Sequence, residues 1–165
     1  MADIFLLPGS YHLTSRPLTI ETLVGSCVSV CLYNIKNCQA AMNHFLHDVP
    51  KGKSFYQIGQ YGSSATEYII EKLMSFDPEA SHYQAQVFGG AAVIKTVSSE
   101  QNVGQKNIDI AKKILNTYRI SIIREEIGGQ RGRRVSFDTA TNTVFCRFAG
   151  QIGKKYKQHQ EIGSL

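Results

Sequence analysis

Apolar residues recur along this 165-residue chain with two periods, and the period of two dominates. Tyr11 to Thr14 and Leu18 to Leu23 alternate loosely and predict two early strands around Pro17. Cys27-Val28-Ser29-Val30-Cys31-Leu32-Tyr33 is a β-rich run, and Cys38 to Leu46 is another. Polar Asn34-Ile35-Lys36-Asn37 between them predicts a hairpin with a four-residue loop. Tyr83 to Phe88 and Ile120 to Ile127 predict further strands. Val135 to Phe137 and Thr143 to Phe148 predict a second hairpin across Asp138 to Asn142. The helical period appears twice. Ala65, Ile69, Leu73 and Phe76 predict a helix over 65–76, opened by Ser64-Ala65-Thr66-Glu67 as a capping box and ended by Asp77-Pro78. Ile108, Ala111, Leu115 and Tyr118 predict a helix over 105–118, and Val93 to Val97 reads as a short extra element. Many strands with two helices inserted fit an α+β fold: a layered, β-sandwich-like core flanked by two main helices. Residues 1–150 read as one domain and 151–165 as a polar, basic tail without periodicity.

Composition narrows the class. Hydrophobic residues make up 42% of the chain, yet no run approaches the ~18 apolar residues of a membrane span, so no membrane insertion is expected. The start, Met1 to Pro8, lacks a basic leader, which points to a cytoplasmic protein. In that reducing compartment the four cysteines are expected as free thiols, three of them inert core residues. The formal net charge of +5 favours an acidic partner. Arg131-Gly132-Arg133-Arg134 suits a phosphate or an acidic protein surface, but the aromatic interleaving of RNA binders is absent, so nucleic acid is not the expected partner.

The candidate chemistry lies in the first hairpin. If it is centred between Ile35 and Lys36, facing residues have numbers summing to 71, and Cys27 faces His44. A thiol beside an imidazole supports nucleophilic attack on a carbonyl carbon, with His44 activating the sulfur. The Gly25-Ser26 turn supplies backbone N–H groups for an oxyanion, with Gly25 free to take an unusual φ. A core cysteine beside a surface histidine fits the same spacing. Cys27, Cys31, His44 and His47 offer four zinc ligands on paper, but alternation sends His44 and His47 to opposite faces, so the reading carries no metal.

Five segments, taken in order, resemble one family. They are Leu23-Val24-Gly25-Ser26-Cys27-Val28-Ser29-Val30-Cys31-Leu32-Tyr33, Met42-Asn43-His44-Phe45, Phe88-Gly89-Gly90-Ala91, Val103-Gly104-Gln105-Lys106-Asn107 and Gly128-Gly129-Gln130-Arg131-Gly132-Arg133. They resemble motifs of the CheD family of chemoreceptor glutamine deamidases, over about Pro8 to Phe148. The resemblance implies a layered cysteine-hydrolase fold shared with some deamidating toxins. It implies deamidation of glutamine side chains on methyl-accepting chemotaxis receptors without a metal or organic cofactor. Cys27 matches the family nucleophile and His44 its histidine. The family's third catalytic residue is a threonine upstream of the cysteine. At its expected place stands Glu21, with Thr22 one residue nearer, and both stay open as candidates. The receptors' cytoplasmic domain is one implied partner and a CheC-type phosphatase of the response regulator another. A regulatory binding role toward that phosphatase, with little catalysis, is the competing reading, and receptor methylester hydrolysis a further one.

Overall fold

The computed structural model describes residues 1–52, 57–93 and 102–150. Its elements run β1 (Ile4–Phe5), β2 (Ser10–Thr14), β3 (Thr19–Val24), β4 (Val28–Asn34), β5 (Ala40–His44), α1 (Gly62–Met74), β6 (Tyr83–Gly89), α2 (Val103–Thr117), β7 (Ser121–Ile127), β8 (Arg133–Asp138) and β9 (Thr143–Phe148). Two sheets form. One has the order β1-β3-β8-β9, the other β2-β5-β4-β6-β7. Most pairs are antiparallel, and β1–β3 and β6–β7 are parallel. The expected α+β layering is present: four-stranded sheet, five-stranded sheet, then both helices.

The central strand explains the layering. All seven residues of β4 are buried, as a strand covered on both faces requires. Val28, Val30 and Leu32 face the helices, where they meet Ala65, Ile69, Leu73, Ile108, Ala111 and Leu115. Cys31 and Tyr33 face the other way and join Ile20, Val24, Met42, Val135 and Phe137 between the sheets. On β3 the alternation is clean: Ile20, Thr22 and Val24 are buried, while Leu23 is exposed and Glu21 half-buried.

Three sequence expectations are corrected. The hairpin pairs Cys31 with Met42, Leu32 with Ala41 and Tyr33 with Ala40, and Val28 bridges Phe45. Facing numbers therefore sum to 73, and the four-residue loop moves one place along the chain, to residues 35–38, closed by Asn34 N–H on the Gln39 carbonyl at 2.9 Å. The Asn34 side chain holds that loop by accepting from the Lys36 and Asn37 N–H groups at 2.7 and 3.2 Å. The first helix begins at Gly62 without a capping box. The N–H groups of Gly62 and Ser63 donate instead to the carbonyls of His47 (2.7 Å) and Asp48 (3.0 Å), and Ser64 Oγ points back to the Ile58 carbonyl at 2.7 Å. Chain leaving β5 thus does the work of a cap. The helix also stops at Met74, which leaves Phe76 on the surface. The element expected over Val93 to Val97 and the tail from residue 151 lie largely outside the described residues.

Gly62 is where packing and propensity oppose each other. Alanine there would gain about 1 kcal/mol of helix propensity. A Cβ, however, would stand 2.5 Å from both the Phe45 ring and Ile110 Cγ2. Overpacking costs about 1–3 kcal/mol, so Gly62→Ala is expected to lower the urea midpoint. A raised midpoint would show that the Phe45 side yields freely.

Candidate active site

Thr22, His44 and Cys27 come from three neighbouring pieces of chain: β3, the end of β5, and the loop between β3 and β4. The corrected register sets His44 level with Ser29 and Cys27 level with Leu46, so the two do not stand directly opposite. The offset is two residues, and side chains alternate with period two, so both still share the inter-sheet face. His44 is 1% exposed and Cys27 half-buried.

Glu21 and Thr22 project from opposite faces of β3 and meet different partners. Thr22 Oγ1 lies 2.6 Å from His44 Nδ1 across the gap between sheets, and 2.8 Å from the Leu6 carbonyl oxygen. Glu21, one residue earlier, projects from the opposite face and pairs with Arg134 at 2.8 Å. A carbonyl can only accept. We therefore assign the Thr22 hydroxyl proton to Leu6, and the Thr22 oxygen accepts from His44 Nδ1–H. This tautomer leaves a lone pair on Nε2, which is buried with no hydrogen-bond partner among the described residues. Burial holds the imidazole neutral, bringing its pKa from 6.5 down to about 4. Burial also pushes the Cys27 thiol up, partly offset by its own backbone N–H against the sulfur.

The loop that carries Cys27 is clamped from several sides. The Gly25 carbonyl accepts from Ala91 N–H (2.9 Å) and the Cys27 carbonyl from Gly90 N–H (2.8 Å). The Ser26 carbonyl accepts from Asn107 Nδ2 at 2.9 Å, and the same nitrogen donates to Leu46 O at 2.8 Å. Gly89 and Gly90 carry φ of +107° and +68°. A Cβ on Gly89 would run into the Cys27 carbonyl, and one on Gly90 into Ile108, so both places need glycine. Gly25 itself does not lie at positive φ, contrary to the sequence expectation. Its place in the turn is fixed by hydrogen bonding instead. Behind this layer, Gly128 N–H donates to Gly89 O (2.9 Å), Ala92 N–H to Gly129 O (2.8 Å), and Arg133 Nη1 to Gly128 O (2.9 Å).

The five motif segments therefore converge on one loop. Their basic run is not a single patch. Arg133 is buried in that support, Arg131 stacks on Phe148 with its guanidinium 4.5 Å from the ring centre, and Arg134 faces outward toward Glu21. Of the other cysteines only Cys31 is fully buried. Cys146 is half-buried and Cys38 lies exposed in the hairpin loop. His82 pairs with Asp77 at 2.7 Å.

The His44 environment has a consequence for stability. Unfolded, the ring takes a proton below about 6.5, whereas folded it does so only near 4. Between these values the unfolded state binds more protons, so stability falls as the pH drops, by roughly 3 kcal/mol in all. Urea midpoints measured from pH 7 to pH 4 should fall more steeply for the native chain than for His44→Asn. Equal slopes would mean that the ring is not held neutral by burial.

Comparison with known proteins places the chain in a family. A family model described as CheD chemotactic sensory transduction matches residues 47–148, downstream of Cys27 and His44. Full-length relatives extend the match to the hairpin. The probable chemoreceptor glutamine deamidase CheD of Trichlorobacter lovleyi is 33% identical over 156 residues, covering 94% of this chain and 92% of that protein. CheD 2 of Shewanella oneidensis, with the same description, is 34% identical over 98% of this chain and 81% of its own length. The Rhodospirillum rubrum CheD is 35% identical over 89% and 82%. Among solved structures, the hypothetical protein YfiH of Bacillus licheniformis gives a TM-score of 0.48 at 9% identity, covering 70% of this chain and 49% of that one. By the matched family model and the extent of these relatives, the chain belongs to the CheD family.

Proposed function

We infer that this chain is a protein-glutamine glutaminase that converts glutamine side chains of chemoreceptors to glutamate, with Cys27 as nucleophile, His44 as base and acid, and Thr22 as the group that orients His44. The reading is carried by one observation: a neutral imidazole whose Nδ1–H is tied to Thr22 and whose Nε2 has no partner among the described residues, on the same face as a half-buried thiol. Its chemistry and the relatives' described activity point the same way.

The reaction follows from the protonation states. With the thiol pushed up and the ring held down, the resting pair is neutral. The proton passes from sulfur to His44 Nε2 as the sulfur adds to the amide carbon, and the carbonyl electron pair moves onto oxygen. The N–H groups of Ser26 and Cys27 donate to no backbone carbonyl among the described residues, which leaves them available to that oxyanion. His44 Nε2–H then protonates the departing nitrogen, ammonia leaves, and a thioester remains. Water gives a proton to Nε2, adds to the thioester, and expels Cys27 sulfur, which recovers its proton. The sum is amide plus water to acid plus ammonia. Thr22 keeps the ring in one tautomer throughout, and as the ring becomes charged its Nδ1–H bond to Thr22 strengthens.

No helix among the described residues is long and apolar enough to cross a membrane. The encounter therefore takes place on a receptor segment that presents its glutamine to the Cys27 loop. A CheC-type phosphatase as second partner rests on the family resemblance, and a pull-down from purified components reads it separately from the amide chemistry.

The decisive assay incubates purified protein with a receptor cytoplasmic fragment and follows peptide masses, since replacing NH2 by OH at a glutamine is directly visible. The native chain is expected to convert a defined set of glutamines. Cys27→Ala is expected to convert none. Conversion by Cys27→Ala at the native rate would remove the sulfur from the mechanism.

A further inference from the structure

Asn107 is a polar residue on the buried stripe of α2. It lies between Gly104 and Ala111, both buried, and is itself fully buried. Its amide nitrogen donates to two main-chain carbonyls, Ser26 just before the nucleophile and Leu46 two residues past His44. Its Oδ1 is buried with no partner among the described residues. A buried amide with an unsatisfied end lowers stability, so the side chain is not explained as packing. What it supplies is the donor.

The geometry of a peptide plane says what the donor does. A trans peptide is planar, and its C=O and N–H point in opposite directions. The Ser26 carbonyl and the Cys27 N–H belong to one such plane. With the carbonyl held toward α2 by Asn107, the Cys27 N–H is turned away from the helix. The preceding plane is fixed likewise by Ala91 N–H on the Gly25 carbonyl. Among the described residues Asn107 is the sole donor to the Ser26 carbonyl, so without it that plane can rotate.

We propose that Asn107 is a positioning residue for deamidation: by holding the Ser26 carbonyl it aims the Cys27 N–H at the oxygen that gains charge when the Cys27 sulfur adds to the substrate amide. The proposal rests on the glutaminase reading. In that step the S–C bond forms, the C=O π pair moves to oxygen, and the thiol proton passes to His44 Nε2. A misaimed N–H would leave substrate binding intact and weaken only the addition intermediate and the transition states around it.

Asn107→Asp keeps the shape but leaves at most one donor hydrogen, on a carboxyl that must stay protonated to offer it to either the Ser26 or the Leu46 carbonyl, while Asn107→Ser keeps a single shorter donor. Two readouts separate positioning from collapse. Deamidation of the receptor fragment gives kcat and KM. Alkylation of Cys27 by iodoacetamide displaces iodide without forming an oxyanion, and counts intact sites. For Asn107→Asp, kcat is expected to fall ~30-fold or more, KM to stay within about threefold, and the alkylation rate to stay within about threefold. Asn107→Ser should fall between Asp and the native chain, and serves as the test if the Asp variant does not fold. Unchanged kcat in the folded variants overturns the inference and leaves the glutaminase reading standing. A fall in alkylation matching the fall in kcat also overturns it, because the residue then serves only to keep the site folded. Loss of activity in the native chain would instead count against the glutaminase reading itself.

Discussion

A threonine hydroxyl held between a carbonyl and an imidazole governs this molecule. Thr22 comes from one sheet and His44 from the other, and the Leu6 carbonyl that completes the chain belongs to the segment just after β1. Because a carbonyl cannot donate, the direction of every proton in that chain follows from its end. The imidazole therefore faces the inter-sheet space with an unprotonated Nε2. Burial of the ring would otherwise be a liability, since it disfavours the charged form. Here the same burial keeps the ring neutral and, in the proposed reaction, able to take a proton from sulfur. Packing two sheets face to face is then a condition of the proposed chemistry, because Thr22 and the ring it is bonded to lie on different sheets.

The second constraint is the loop that carries Cys27. Three successive carbonyls, at Gly25, Ser26 and Cys27, are held by donors from two other segments: Ala91 and Gly90 from the turn after β6, and Asn107 from α2. Among the described residues the N–H groups of Ser26 and Cys27 have no backbone acceptor. Two glycines at positive φ and a glycine-bearing first turn of α2 allow the segments to approach this closely. Arg133 and the Gly128-Gly129 turn stand behind them and fix the position of Gly89 and Ala92. Segments more than a hundred residues apart in the chain thereby hold one short stretch of backbone.

Much of this was legible in the sequence, and the failures have physical reasons. Strand alternation and helical stripes located nearly every element, because period and burial are directly linked. The two-residue Ile4–Phe5 strand is too short to show a period. The hairpin register was missed by two because the Asn34 side chain builds a turn that moves the loop one place along the chain, yet an even slip keeps Cys27 and His44 on one face. The difference between Glu21 and Thr22 was written in β3: Thr22 is in phase with Ile20 and Val24, and Glu21 with the exposed Leu23. Asn107 also carried a signal, being a polar residue in phase with an apolar stripe. The bonds it makes were not visible, since they join residues 61 and 81 positions apart. The capping box failed because carbonyls of a distant loop served the helix start instead.

The tautomer of His44 is the point on which the account turns, and nitrogen NMR of the ring reads it directly. In the native chain near neutral pH, the ring is expected to show a protonated Nδ1 and an unprotonated Nε2, with Thr22→Val disturbing that signature and Thr22→Ser preserving it. A proton found on Nε2, or a doubly protonated ring at that pH, would contradict the account.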